Sequence, residues 1–517
     1  MAEMVQAKVF RYNPDVDKAP HFENYEVPYV EGMVVLDALH HIYEKIDGSF
    51  AYRWACRAGQ CGSCAVIING KPRVACRTIV EKGKPLTIAP LLQFPVVKDL
   101  VVDLDRGLRR LARIRPYVDR VTKPERPEII SKEAIEPVKE VRECIECWSC
   151  ISACPAVNEA WQEFSGPMYH AKLARLEFDE RDVEDRVKMA FLDGLYKCTT
   201  CRACVEVCPK EIDIPGKAIE KMRAVAAKTG LGPLTGHKEY ITRALTSGRS
   251  IDKMGTSLLE MIPEIIPGHI ARVKEPKDTV GYFPGCLTDY RLQEVGKAII
   301  EVLIRNNIEV IVPSEFTCCG SPLLRAGMVE EAKEKLVPKN VRILEELGVK
   351  TVVTGCPGCC MTIKHNYPEL IGRKLGFETM HVSEYLARNV DINTKDMKAV
   401  NLKATYHNPC HLNRGMNAPG ALKTVLGKIP GVNVVEMEES DRCCGAGGGV
   451  RAGERPISMM MARRKGEFII NSGAEACVTQ CPFCYIQIQD ILKQLGYQQI
   501  KVYDLADLLV MSSSAKQ

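Results

Sequence analysis

No run of 18 residues in this chain is free of charge, and the opening MAEMVQAKVFRYNPD has no apolar stretch of the kind an export signal needs. Membrane spans and secretion are therefore not expected, and a cytoplasmic location is. A flavin fingerprint is also missing, since no Gly-x-Gly-x-x-Gly follows a strand near the start. The composition, 46% apolar and 26% charged over 517 residues, is ordinary and long enough for three or four domains. A formal charge of +5 is too small to imply nucleic acid, because it counts every cysteine as a neutral thiol. Metal ligation ionises cysteines, and three oxidised clusters at roughly −2 each would cancel the excess. The one dense basic stretch, Arg106 to Arg115, has arginines at helical spacing and reads as a solvated or subunit-docking face.

What the chain has in quantity is cysteine. In a reducing compartment 24 cysteines point to metal rather than to disulfides, and their spacing repeats. Cys56, Cys61, Cys64 and Cys76 stand alone. Cys144, Cys147, Cys150 and Cys154 recur at a constant offset of 54 as Cys198, Cys201, Cys204 and Cys208, each run closing with proline. Cys286, Cys318, Cys319, Cys356 and Cys359 recur as Cys410, Cys443, Cys444, Cys481 and Cys484, offset by 124 for the first and 125 for the rest. Glycine follows both cysteine pairs. Cys360 and Cys477 fall outside these patterns and read as structural or inert.

Cys-x4-Cys-x2-Cys with a distant fourth cysteine is the plant-type 2Fe-2S arrangement, and Gly59 and Gly62 let its loop fold close around iron. Zinc is the alternative, although zinc sites favour paired Cys-x2-Cys hooks. Each Cys-x2-Cys-x2-Cys-x3-Cys-Pro run wraps three thiolates around one 4Fe-4S cube while its fourth reaches the other. Crossed ligation follows: Cys144, Cys147, Cys150 and Cys208 hold one cluster, and Cys198, Cys201, Cys204 and Cys154 the other. The last two sets offer five thiolates each, one more than a cube or a tetrahedral zinc needs; a spare buried cysteine is the bland alternative. The run Gly445-Ala446-Gly447-Gly448-Gly449 lacks the Lys-Ser/Thr ending of a phosphate loop and follows Cys444, so close backbone approach to a cluster is the better account. His411, Arg414, Lys364 and His365 lie near cysteines as candidates for an anionic substrate, or as surface and hydrogen-bonding residues.

The fold class read from these patterns is multidomain, α+β followed by α/β. Strands are expected at 5–12, 22–30, 65–69 and 85–89, with Asn69-Gly70 as a hairpin turn and a helix whose face is Val35, Leu36, Leu39, Ile42 and Tyr43. The expected divisions are a 2Fe-2S domain at 1–105, a helical 4Fe-4S domain at 106–235 and linker helices at 236–278. Two Cys-Cys-Gly modules follow at 279–395 and 396–510, then a disordered tail at 511–517. Val121 to Glu140, rich in Pro, Lys and Glu, reads as a linker. In each module strands alternate with helices, which implies parallel sheets with ligands beyond the strands' carboxyl ends. All five cysteines of a module follow such ends, so they should converge.

Residues 1 to about 235 resemble the iron-sulfur subunits of succinate dehydrogenase and fumarate reductase, through FRYNPDVD, CRAGQCGSC, the ING hairpin, PVVKDLVVD and the two cubane runs. From about 279 the chain resembles the Cys-Cys-Gly modules of heterodisulfide reductases, through FPGC, CCG, CPGCC, NPCHL, CCGAGGG and CPFC. A chain that joins the two resembles the iron-sulfur subunits of the thiol:fumarate reductases, soluble anaerobic enzymes of methanogens that couple fumarate reduction to oxidation of coenzyme M and coenzyme B thiols. The resemblance implies a β-grasp ferredoxin domain, a helical domain with two 4Fe-4S clusters, and a non-cubane 4Fe-4S cluster on each five-cysteine set. Between those two clusters a heterodisulfide forms. It also implies FAD on a succinate dehydrogenase-like flavoprotein partner. Two departures from succinate dehydrogenase matter: Cys201 completes a 4Fe-4S set where a 3Fe-4S cluster is usual, and no quinone-anchor sequence follows. Two other readings compete. One is the iron-sulfur subunit of a quinone-linked succinate or 2-hydroxy-acid dehydrogenase; the plant-type domain speaks against its glycolate or glycerol-3-phosphate dehydrogenase-like form. The other is a relay subunit of a heterodisulfide reductase-like complex, which the paired five-cysteine sets disfavour.

Overall fold

The computed structural model describes residues 3–392, 394 and 397–513. The chain forms two compact units, the first of residues 1–198 and 202–222, the second of residues 199–201 and 223–517. The boundary thus falls inside the segment expected as one helical domain. Residues 199–201 of the second cubane run pack with the second unit.

The first unit opens with a mixed five-stranded sheet. Strands β1 (Met4–Arg11), β2 (His21–Pro28), β3 (Ala65–Ile68), β4 (Lys71–Val74) and β5 (Leu86–Ala89) lie in the order β2-β1-β5-β3-β4. β1 and β5 are parallel, and the other pairs are antiparallel. Alternation builds it: Val5, Ala7 and Val9 are buried while Met4, Gln6 and Lys8 face outward. Asn69 (φ 48°) and Gly70 (φ 80°) make the two-residue turn between β3 and β4, with both central residues left-handed as the strand twist demands. Helix Val35–His41 buries Val35, Leu36 and Leu39. A ribbon of β6 (Val96–Lys98) and β7 (Val101–Val102) follows; between them Asp99, 1% exposed, accepts Arg11 Nε at 3.0 Å and the amides of Tyr12 and Ala51. The basic stretch forms helix Asp105–Arg113, but only partly as a solvated face: Arg106 stacks over Trp161 at 4.3 Å and Arg110 donates to the Trp161 carbonyl. Arginine stems cover apolar surface while their heads stay polar, which charge counting alone does not reveal.

The second unit contains two sheets built alike. The first is β12-β11-β9-β10-β8, from β8 (Ile270–Ala271), β9 (Asp278–Tyr282), β10 (Ile308–Ile311), β11 (Thr351–Thr354) and β12 (Glu378–His381), parallel except for β8. The second is β14-β13-β15-β16, from β13 (Leu402–Tyr406), β14 (Val432–Val434), β15 (Ala476–Thr479) and β16 (Lys501–Asp504), all parallel. β12 and β16, each followed by a helix, are a fourth strand that the strand-helix pattern does not announce; their Glu378, Lys501 and Asp504 hide the apolar signal. Those last helices are exchanged. Helix Leu505–Ser512 of the second module packs on Gln293–Arg305 of the first, and Val382–Asn389 of the first packs on Ala421–Leu426 of the second. Ile299, Leu303, Leu422, Leu426, Leu505 and Leu508, all unexposed, share one core. That core corrects the expected tail: Met511 and Ser512 complete a helix and Ser513 bridges Met397, because Leu508 and Leu509 are anchored. Residues 514–517 lie outside the described residues. Helices Thr235–Ser247 and Leu258–Ile265 do more than link, since Leu258 and Ile262 enter the same core.

Candidate metal centres and a thiol-lined cavity

In the first unit, backbone turns place the sulfurs. Arg57, Gly59 and Gly62 all have positive φ, and the loop they bend points the amides of Ala58 and Gln60 at Cys56 Sγ, at 3.4 and 3.3 Å. Those N–H groups favour the thiolate and pull Cys56 down to about 6, whereas burial pushes Cys64 up to about 12. Cys56 and Cys61 are exposed, Cys64 and Cys76 buried. A Cβ on Gly62 would meet Cys147 Cα at 2.8 Å, so this loop lies directly on the first cubane run. The two cubane runs share a backbone signature: Glu146 and Trp148 have positive φ, as do Thr200 and Arg202 at the same offset, ahead of helices Ser149–Ser152 and Ala203–Glu206. Cys208 comes near Cys144, Cys147 and Cys150, and after burial these neighbouring thiols are what push Cys150 up. Cys154, Cys198 and Cys204 belong to the first unit, while Cys201 belongs to the second, where it hydrogen-bonds Cys443.

In the second unit all ten cysteines of the two five-cysteine sets line a single cavity of about 640 Å³. The carboxyl ends of the strands bring them there. Cys286 follows β9, Cys318 and Cys319 follow β10, and Cys356 and Cys359 follow β11; Cys410, Cys443, Cys444, Cys481 and Cys484 stand in the same way after β13, β14 and β15. The glycine after each cysteine pair is left-handed, Gly320 and Gly445 both at φ 86°, and a Cβ on Gly445 would meet Ser458 O at 2.4 Å. Side chains therefore cannot replace it. Ala446 to Gly449 line the cavity too, and their backbone also presses on Thr199 and His237.

The thiols crowd one another. Cys444 Sγ lies 3.5 Å from Cys484 Sγ, and Gly445 donates its amide to Cys443 Sγ at 3.4 Å. Hydrogen bonds from Cys318 and Cys359 pull Cys319 down to about 6, and those from Cys443 and Cys484 pull the equivalent Cys444 well below the usual thiol range. The partners Cys359 and Cys484 are pushed up by the same contacts. Sulfurs this close cannot all ionise unaided, and a metal cluster is the kind of charge that permits it, so the donor set fits iron. Cys360 and Cys477 are unexposed and off the cavity, Cys477 being pushed up to about 12 by burial.

Of the polar candidates, His411 lines the cavity and meets the Thr200 carbonyl at 3.1 Å. Arg414 and Lys364 do not line it; Arg414 is held by Asp441 at 2.9 Å, which is why its nearness in sequence to Cys410 misleads. His365 is exposed and also lies off the cavity. Distant segments supply cations to the wall instead: Arg243, Arg325, Arg451 and the exposed Arg455. Two further residues carry no local motif. His407, unexposed and kept neutral by burial, places Nε2 3.3 Å from Cys484 Sγ. Its nitrogen and the sulfurs of Cys444 and Cys484 all lie within 4.8 Å of one another. Lys465, also unexposed and pulled down to about 8 by burial, donates to the Glu439 carbonyl at 2.5 Å. Superposing the two sequence copies at their fixed offset would have flagged both, because their counterparts are Phe283 and Asn340.

Ferredoxin-type loops followed by paired cysteine-rich modules define an iron-sulfur, electron-transferring subunit of an oxidoreductase. Residues 6–109 match the 2Fe-2S iron-sulfur cluster binding domain, 140–212 the 4Fe-4S dicluster domain, and 280–364 and 404–489 the cysteine-rich domain. A dihydromethanophenazine:CoB–CoM heterodisulfide reductase subunit of Methanosarcina barkeri is 31% identical over 68% of this chain and 85% of its own. The fumarate reductase iron-sulfur subunit of Haemophilus influenzae is 35% identical over 44% and 94%. A fumarate reductase (CoM/CoB) subunit of Methanothermobacter marburgensis is 40% identical over 99% of this chain and 100% of its own, and the chain belongs to that family. A Helicobacter pylori protein of solved structure shares the fold at 13% identity, with a TM-score of 0.62 over 99% of this chain and 95% of that one. Among the described residues no helix is long and apolar enough to cross a membrane.

Proposed function

We propose that this chain is the iron-sulfur subunit of a thiol:fumarate reductase and that the cavity of its second unit joins two thiols, those of coenzyme M and coenzyme B, into a heterodisulfide. Forming the S–S bond releases two protons and two electrons. The same number converts fumarate to succinate on a flavoprotein partner that carries FAD, so the two half-reactions balance. The observation that carries this reading is that two complete five-cysteine sets line one cavity.

Cys286, Cys318, Cys319, Cys356 and Cys359 hold one non-cubane 4Fe-4S cluster, and Cys410, Cys443, Cys444, Cys481 and Cys484 the other. Clusters held there would supply cationic iron to acidify a bound thiol and would accept single electrons. The cavity wall keeps two sulfurs side by side and out of bulk water, which makes their union effectively intramolecular. Arg243, Arg325 and Arg455 offer charge to anionic tails, and His411 is fixed in the same wall by donating Nε2–H to the Thr200 carbonyl. Cys56, Cys61, Cys64 and Cys76 hold a 2Fe-2S cluster. Cys144, Cys147, Cys150 and Cys208, and Cys198, Cys201, Cys204 and Cys154, hold two 4Fe-4S clusters of the relay.

The complex purified without oxygen should contain about 18 iron atoms per chain and oxidise the two coenzyme thiols only with fumarate present. Cys444→Ser should abolish that rate while sparing fumarate reduction by an artificial donor. Iron near about 10 per chain, or an unchanged thiol-dependent rate in the variant, would sink the reading.

A further inference from the structure

The two modules agree at every cysteine of the repeated sets, so their differences at matched positions are informative. Two bear on a sulfur or on the loop that carries the cysteine pair. Where the first module has Phe283, unexposed and packed edge-on against Phe316 at 5.0 Å, the second has His407 with Nε2 3.3 Å from Cys484 Sγ. Where the first has Asn340, the second has Lys465. Asn340 is a neutral fastener: its Oδ1 accepts the Thr317 amide at 2.8 Å, and its Nδ2 donates to the carbonyls of Thr317 and Cys318 at 3.2 and 3.0 Å. Lys465 fastens the equivalent loop through the Glu439 carbonyl but brings an ammonium. Other buried cations stand nearby: Arg249, ahead of the first module, pairs with Asp289 at 3.3 Å, Arg325 of the first module lines the cavity, and Arg442 of the second pairs with Glu439 at 2.8 Å. Lys465 donates to a carbonyl, with the carboxylates of Asp441 and Glu439 acting on it from nearby.

We propose that these substitutions make the cavity electronically lopsided: His407 donates its Nε2–H to the Cys484 thiolate, Lys465 brings a buried cation where the first module has a neutral amide, and together they hold the second module's cluster at the higher reduction potential. Reduction makes a cluster more negative, and a hydrogen bond to its sulfur or a nearby cation favours that state. The second module is also where Thr199–Cys201 packs, with Cys443 Sγ 3.5 Å from Thr199 Oγ1. Electrons released in the cavity therefore collect on the side that carries them away. His407 and Lys465 are positioning residues: they touch the cluster's ligands and their loop, not the substrate.

This inference rests on both modules holding clusters, and the test separates the two. A redox titration of the anaerobic complex followed by EPR is run on the wild type and on His407→Phe and Lys465→Asn, which copy the first module. The signal lost in Cys444→Ser marks the second module. In His407→Phe that signal should shift to lower potential by at least a tenfold change in its equilibrium, 59 mV for a one-electron couple, with the other midpoints unmoved. Lys465→Asn should shift it the same way by less. His407→Gln, which keeps an N–H, should restore most of the wild-type value. An unmoved midpoint with iron retained overturns the proposal. So does a strong nitrogen hyperfine coupling in the wild type, which would make His407 an iron ligand, or loss of iron from both His407 variants. Iron near about 10 per chain in the wild type would instead remove the cluster reading itself.

Discussion

The cysteine loop at the start of the chain and the paired modules at its end both gather thiols, by opposite means. In Cys56 to Cys64 a short loop with three left-handed residues wraps the sulfurs in its own amides, and Cys56 and Cys61 stay exposed. In the modules no local loop suffices: the five sulfurs of a set follow the ends of three different strands, and the set exists only because the sheets are packed. The first design suits passing an electron to something outside. The second suits chemistry that must exclude water, and it makes the site depend on the entire core.

That contrast can be broken from either side. The largest effect should come from Gly445→Val, where a left-handed backbone and an atom 2.4 Å from the new Cβ leave no room; iron should fall by about 4 per chain while the visible spectrum of the 2Fe-2S centre persists. Asp99→Ala should do the reverse. It leaves Arg11, 8% exposed, without its most buried partner, costing about 3–5 kcal/mol, and thermal bleaching of the 2Fe-2S spectrum should move down with module iron unchanged. Leu508→Ala, at the exchanged helix, should cost about 2–5 kcal/mol and loosen both modules together, so that both cavity signals disappear at one temperature. Smallest, Arg455→Gln should raise the KM for the anionic thiols roughly tenfold, the worth of one charged hydrogen bond, whereas Arg414→Gln should leave it alone because Asp441 already holds that side chain off the cavity.

Much of this was legible in the sequence for a physical reason. A cysteine placed just past an apolar strand is placed at the strand's carboxyl end, so spacing alone foretells that Cys286, Cys318 and Cys356 meet. Crossed nearness of Cys208 to the first cubane run likewise follows from how far three thiolates reach. What could not be seen depended on partners distant in sequence. Arg414 looked available until Asp441 was beside it, and Arg243 and Arg455 reach the cavity from helices with no motif of their own. β12 and β16 were hidden by polar strand residues. His407 and Lys465 looked like ordinary residues, because their meaning lies only in what replaces them in the other copy.

The exchanged helices have a final consequence. Because each module's last helix is seated on a helix of its neighbour, deleting either half would strip apolar cover from the other. Duplication supplied two copies, but the swap turned them into a clasp closed from behind. The gap between the two sulfur sets is therefore a gauge set by the hydrophobic core the modules share, and a mutation that thickens or thins that core should change the distance between the sets.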